Sequence, residues 1–211
     1  MNIGLYFGSF NPIHTGHLII ANHVLNETDL DKVWFVLSPQ NPSKPSATLL
    51  NEFDRLHLLQ KAIEDNDKFK AIDIEFSLPK PSYTAHTLAY LSEKHAQVVF
   101  YIIMGSDSFQ NLGKWKNAEF IIANYPIIIY ERPGFSVENN NDANIIQMKA
   151  PLLEISATHI RLLIKEGKSI KYLVPPAVET EILENRLYKN IQARYPNSRQ
   201  SPTITGDGNL V

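Results

Sequence analysis

The 211-residue chain contains no cysteine, which excludes disulfides, thiolate metal sites and cysteine nucleophiles. It also lacks a basic excess. Twenty Lys and Arg stand against 22 Asp and Glu, for a formal net charge of −2, whereas general nucleic-acid binding calls for a surplus of cations. No hydrophobic run approaches the ~20 residues needed to cross a bilayer; Val98 to Met104 is among the longest. The N-terminus has neither the basic start nor the long apolar stretch of a signal peptide, so a cytoplasmic location without a membrane partner is expected. No repeat of fixed period is present, which argues against a solenoid or propeller. What remains is ordinary globular composition, 44% hydrophobic and 20% charged, in a length that suits one domain.

Apolar runs of strand length alternate with segments of helical period. Strands are expected at Asn2 to Phe7, Lys32 to Leu37, Phe69 to Phe76, Gln97 to Met104, Pro126 to Tyr130 and Ile145 to Met148. Helices are expected from Thr15, after an Asn51 cap, after a Thr84 cap, over the AEFIIAN segment, and at Thr158 to Lys165 and Pro176 to Tyr188. Arg55, on the second of these, reads as structural. Near-continuous apolar strands alternating with helices predict an α/β fold, a Rossmann-like doubly wound parallel sheet flanked by helices. The polar, turn-rich segment 196–211 is expected to be a disordered tail.

In such a sheet, ligands bind beyond the carboxyl ends of the strands. The segment Gly8 to His17, GSFNPIHTGH, lies at such an end. Gly8 permits close backbone approach and Asn11-Pro12 turns the chain. The helix beginning near Thr15 offers N–H groups and the positive end of its dipole to an anion. His14 and His17, three apart, share a face of its first turn, where imidazole N–H groups can support phosphate charge. On the residues alone, phosphate binding and satisfied core histidines both stay open. The two histidines have no third metal ligand near them in the chain, so no protein metal site is expected, and the GxGxxG of a dinucleotide loop is absent.

The segment His14-Thr15-Gly16-His17 resembles the (T/H)xGH core of the nucleotidyltransferase superfamily. The surrounding GSFNPIHTGH is similar to the fuller signature of its nicotinate mononucleotide adenylyltransferase branch, with Ser9 in place of a glycine and Asn11 in place of aspartate. About 140 residues later, Ile155 to Arg161 (ISATHIR) resembles the second superfamily signature, ISxTxIR. The resemblance implies a nucleotidyltransferase-type fold over residues 1–190, with helices at roughly 156–190 completing the ATP site. It also implies that Gly8, Ser9, Phe10, His14, His17, Gly105, Asp107, Ser156, Thr158 and Arg161 bind ATP. Hydroxyls, N–H groups and a guanidinium fork all donate to phosphate oxygens, in keeping with that role.

Further segments resemble the nicotinate mononucleotide branch. Gly105-Ser106-Asp107 with Leu112 and Trp115 matches GxDxxxxLxxW. Ser82-Tyr83-Thr84 matches its SYT segment, where His86 replaces the usual aspartate. Lys44 stands at the lysine of a proline-rich loop, with Ser43 replacing a histidine, and Arg132 matches an R-P-G segment. The resemblance implies that Lys44, Tyr83, Thr84, Trp115 and Arg132 meet the second substrate, Trp115 by stacking on a pyridine ring. It gives His14, His17, Lys44 and Arg161 catalytic roles.

The expected reaction is transfer of AMP from ATP to nicotinate mononucleotide, giving deamido-NAD and pyrophosphate in NAD biosynthesis. Mg²⁺ is expected to arrive with ATP. The expected partners are these small molecules and no nucleic acid, with a homo-oligomer left open. Nicotinamide mononucleotide and pantetheine phosphate are alternative acceptors, and a non-catalytic nucleotide sensor is a further alternative.

Overall fold

The computed structural model describes residues 1–40, 49–138, 143–149, 151 and 154–189. Six strands, β1 (Asn2–Gly8), β2 (Lys32–Leu37), β3 (Phe69–Ile72), β4 (Val99–Gly105), β5 (Ile127–Tyr130) and β6 (Ile145–Met148), form one sheet. Its order is β3-β2-β1-β4-β5-β6 and every pairing is parallel. The order reverses between β1 and β4, so their carboxyl ends, Gly8 and Gly105, flank the crevice where such sheets bind ligands. Successive side chains point to opposite faces of a strand, and the core divides accordingly. Val33, Phe35 and Leu37 pack on one face with Ile103 and Ile128, while Trp34 and Val36 pack on the other with Ile102 and Ile127.

The first face is covered by α1 (Thr15–Glu27), α2 (Glu52–Ile63), α6 (Ala157–Lys165) and α7 (Pro176–Glu184), which contribute Ala21, Leu58, Ile160 and Val178. The second is covered by α3 (Thr84–Lys94), the short α4 (Ser106–Phe109) and α5 (Ala118–Asn124), through Leu88, Phe109 and Ile121. The doubly wound parallel sheet is therefore as the sequence predicts.

Several boundaries differ from expectation. The strand expected to reach Phe76 ends at Ile72, and Ile74–Phe76 forms a 3-10 turn. That turn buries the Glu75 carboxyl, whose Oε1 accepts the Thr87 hydroxyl at 2.8 Å; a continuing strand would not place it there. The cap of α3 is extended Tyr83, so Thr84 is the first helical residue and not the cap. The last helix ends at Glu184, because Asn185 leaves helical geometry and Arg186 and Tyr188 have positive φ. The Asn51 cap is present, its side chain accepting the Phe53 N–H at 2.8 Å. At α6 the cap is Ser156, which accepts the His159 N–H at 3.2 Å. The tail expected from residue 196 lies outside the described residues.

Candidate functional site

Three walls meet around the carboxyl ends of β1 and β4. The first is the loop from Gly8 into α1. Phe10 has φ +40° and its ring is buried, edge-on to His17 (5.1 Å between centroids) and to Tyr6 (5.8 Å). His14 and His17 stack face to face, 3.6 Å apart and 27° from parallel. The main-chain N–H of His14 donates to His17 Nδ1 at 3.3 Å. In the neutral ring that contact leaves the proton on Nε2. A Cβ at position 16 would lie 3.1 Å from His14 Nδ1, so the glycine of HTGH is what lets the His14 ring fold back over the first turn.

His14 is buried, and among the described residues its Nδ1 has no hydrogen-bond partner. Burial, reinforced by the nearby Arg132 cation, lowers its pKa to about 4. At neutral pH His14 is therefore an uncharged imidazole that donates one N–H.

The second wall is the start of α6. Arg161 donates from Nη1 to the Asn11 carbonyl at 2.6 Å and from Nη2 to Thr158 Oγ1 at 3.1 Å. One side chain thus joins the two motifs that the sequence separates by 150 positions. The loop following α6 adds a second tie. Thr15 donates its N–H to the Leu173 carbonyl at 3.0 Å and its hydroxyl to the Tyr172 carbonyl at 3.3 Å.

The third wall stands beyond β4 and β5. Arg132 pairs with Asp107 (3.4 Å), donates to the Tyr130 hydroxyl at 3.1 Å, and donates its main-chain N–H to Ser106 Oγ at 2.9 Å. A Cβ at position 105 would collide with Asp107 Oδ1 and approach Arg132 Nε to 2.9 Å. Gly105 therefore leaves room for that pair above the strand end. Behind it, the Tyr130 and Tyr6 hydroxyls meet at 3.3 Å. Burial, with Tyr130 alongside, raises the Tyr6 phenol well above its usual range, so it stays protonated.

Under the first wall lies Arg55, fully buried. Its guanidinium donates to four main-chain carbonyls: Ser9 (2.7 Å), Ser38 (2.9 Å), Pro39 (3.0 Å) and Leu50 (2.9 Å). The structural reading of Arg55 holds, yet the segments it fastens include Ser9 and the end of β2. Asn11, read from sequence only as a turn former, accepts the Leu50 N–H on its Oδ1 at 3.2 Å.

Tyr83 and Trp115 lie apart from the histidine pair, at the start of α3 and just after the 3-10 turn Leu112–Lys114. Both are half-buried. Lys116 connects them, its Nζ lying 4.3 Å from the centre of the Tyr83 ring. Thr84, beside Tyr83, is also half-buried. Beneath this corner, burial raises the Glu75 carboxyl above its usual range, an effect that the Thr87, Ser38 and Ser82 hydroxyls oppose. Lys44 lies outside the described residues.

The structure thus gathers Thr158 and Arg161 of α6 against the His14–His17 segment, with Gly105, Asp107 and Arg132 across the crevice. The Tyr6–Tyr130 pair, Glu75 and Lys116 were not found from sequence. The first two look like ordinary strand residues, and a lysine after a tryptophan carries no local signal. Among the described residues no cluster of three His, Cys, Asp or Glu side chains could hold a metal ion, and no helix is long and apolar enough to cross a membrane.

Residues 5–163 match the family described as cytidylyltransferase-like. A protein of Cytophaga hutchinsonii named "Probable nicotinate-nucleotide adenylyltransferase" is 53% identical over 90% of this chain and 100% of its own length. A Flavobacterium psychrophilum protein of the same name is 50% identical, again over 90% of this chain and 100% of its own. Among solved structures, Plasmodium falciparum nicotinic acid mononucleotide adenylyltransferase complexed with NaAD superposes with a TM-score of 0.75. It is 22% identical and the match covers 89% of this chain and 97% of that one.

Proposed function

The chain belongs to the cytidylyltransferase-like family, and from that premise we propose that it transfers AMP from ATP to nicotinate mononucleotide, releasing deamido-NAD and pyrophosphate. The observation that carries the site is the bond from Arg161 to the Asn11 carbonyl. It sets the start of α6 against the His14–His17 loop, so that N–H groups, hydroxyls and a guanidinium line one crevice. These are the donors a triphosphate requires. The acceptor follows from the relatives, whose shared name specifies nicotinate nucleotide, and from the aromatic corner of Tyr83 and Trp115, which offers a surface to a pyridine ring.

A phosphate oxygen of the mononucleotide attacks the α-phosphorus of ATP in line. The bond from that phosphorus to the oxygen bridging to the β-phosphorus breaks, and pyrophosphate leaves with the electron pair. A phosphate monoester is already ionised near neutral pH, its second pKa being about 6, so no strong base or covalent intermediate is needed. The chain's task is alignment and charge stabilisation.

In this reading His14 and His17 donate imidazole N–H groups to phosphate oxygens, with neutral His14 suited to donation. Arg161 and Lys44 balance charge on the triphosphate and leaving group, and Ser156 and Thr158 donate from the start of α6. Gly8, Ser9 and Phe10 shape the loop, and Gly105 and Asp107 close the nucleotide site from β4. Arg132 meets the acceptor phosphate, while Tyr83, Thr84 and Trp115 hold its pyridine end. The described donors suit phosphate and do not form a resident metal cage; Mg²⁺ enters with ATP, as expected for an ion that keeps waters and phosphates as ligands.

Pyrophosphate release, measured with ATP and each of nicotinate mononucleotide, nicotinamide mononucleotide and pantetheine phosphate, tests the reading. The nicotinate form should be turned over best, and His17→Ala should lower that turnover about 100-fold or more with the fold intact. Turnover with pantetheine phosphate alone would overturn the acceptor. A near-normal rate for His17→Ala would overturn the phosphate role of the histidine pair.

A further inference from the structure

The two competing pyridine mononucleotides differ at neutral pH by one charge, a ring carboxylate against a carboxamide. An acceptor site that separates them by electrostatics needs a cation at the pyridine end whose charge is not already spent on a carboxylate. Several cations of the described surface are spent in that way: Lys61 on Glu64, Lys80 on Glu52 and Lys168 on Glu166, and Arg132 is assigned to the phosphate end.

Lys116 is not among these pairs. It directly follows Trp115, and its exposed side chain sets the ammonium 4.3 Å from the centre of the Tyr83 ring. Tyr83 is braced on its other side by the edge-on His86 ring, 5.6 Å away. The contact with Tyr83 is a cation–π interaction, which restrains where the ammonium sits while leaving N–H donors for an anion. The lysine therefore spans the two aromatic residues assigned to the pyridine ring, with no carboxylate within ion-pair distance among the described residues.

We propose that Lys116 is a specificity determinant that pairs with the ring carboxylate of the acceptor and favours nicotinate over nicotinamide mononucleotide. The inference rests on the acceptor reading given above. An exposed ion pair of this kind corresponds to a preference of up to about fivefold, by conversion of the energies found for such pairs.

The test compares kcat/KM for both mononucleotides in the unaltered enzyme, in Lys116→Met, which keeps length and loses charge, and in Lys116→Arg, which keeps charge. Lys116→Met should lose about two- to fivefold on the nicotinate form and little on the nicotinamide form, with KM for ATP unchanged. Lys116→Arg should retain most of the discrimination. Added salt should narrow the preference of the unaltered enzyme and have less effect on that of Lys116→Met. Equal losses on both acceptors would mean that Lys116 only shapes the corner, and an unchanged ratio would mean that it does nothing for selection; either result overturns the proposal. If the unaltered enzyme turns over neither mononucleotide, the acceptor reading falls and this inference falls with it.

Discussion

Replacement of Arg55 by Met, similar in length but without charge or donors, should damage stability and turnover together. The side chain is fully buried and makes four hydrogen bonds to main-chain carbonyls. Bonds from a charged donor contribute about 1.5–3 kcal/mol each, a gross loss on the order of 6–12 kcal/mol for four. Removing the guanidinium also removes the cost of keeping it dry, several kcal/mol for a buried ion. The difference leaves a net destabilisation on the order of 3–5 kcal/mol, because the four carbonyls are left unpaired. Urea unfolding should show this as a lower midpoint with an unchanged slope. Because the Ser9 and Ser38 carbonyls lose their common anchor, turnover of the folded fraction should fall about tenfold or more, equivalent to a barrier only ~1.4 kcal/mol higher. Arg55→Lys should recover part of the stability, since one ammonium cannot reach all four carbonyls as a planar fork does. A Met variant with unchanged midpoint and normal turnover would refute the reasoning. Full recovery by Lys would show that charge, and not the fork, is what matters.

Two further predictions concern pH. His14 has a folded pKa of about 4 against an ordinary 6.5, so its contribution to stability is complete above pH 6.5 and is lost as pH falls towards 4. That amounts to about 3 kcal/mol, and the difference between the unaltered protein and His14→Asn in acid unfolding should show it; parallel pH profiles would contradict it. Glu75 has the opposite sign. Its carboxyl is raised by burial, so the folded state gains relative stability as pH falls through the raised value, and the charged form is a burden above it. Glu75→Gln should therefore match or exceed the unaltered stability at pH 8 and show a steeper loss on acidification, because the compensating gain is gone. A variant much less stable at pH 8 would sink that account.

The alternation of strands and helices was legible because parallel strands are nearly continuous apolar runs: the strands Lys32–Leu37 and Ile145–Met148 and the helix Ala118–Asn124 have the bounds their pattern predicts. The HTGH and ISATHIR motifs were legible as residue types at fixed spacing. The stop after Ile72 was not, because its reason is a contact between Glu75 and Thr87 on another element. The importance of Arg55 was equally hidden: its partners are main-chain carbonyls, which every residue carries, so no side-chain pattern marks them. Local pattern reports what a residue can do, whereas Arg55, Glu75 and Lys116 depend on what the fold brings beside them. The reading of Thr84 as a cap shows the converse, a residue type suited to a role that the backbone assigned one position earlier.

The ties from Thr15 to Leu173 and Tyr172, together with that from Arg161 to Asn11, set an order of events during translation. A growing chain can pair β1, β2 and β4 once residue 105 has emerged, yet at that stage the loop before α1 lacks the far side of its crevice. Only when residue 173 leaves the ribosome can the first and last thirds close on each other. The ability to hold a nucleotide is thus among the last properties the nascent protein acquires.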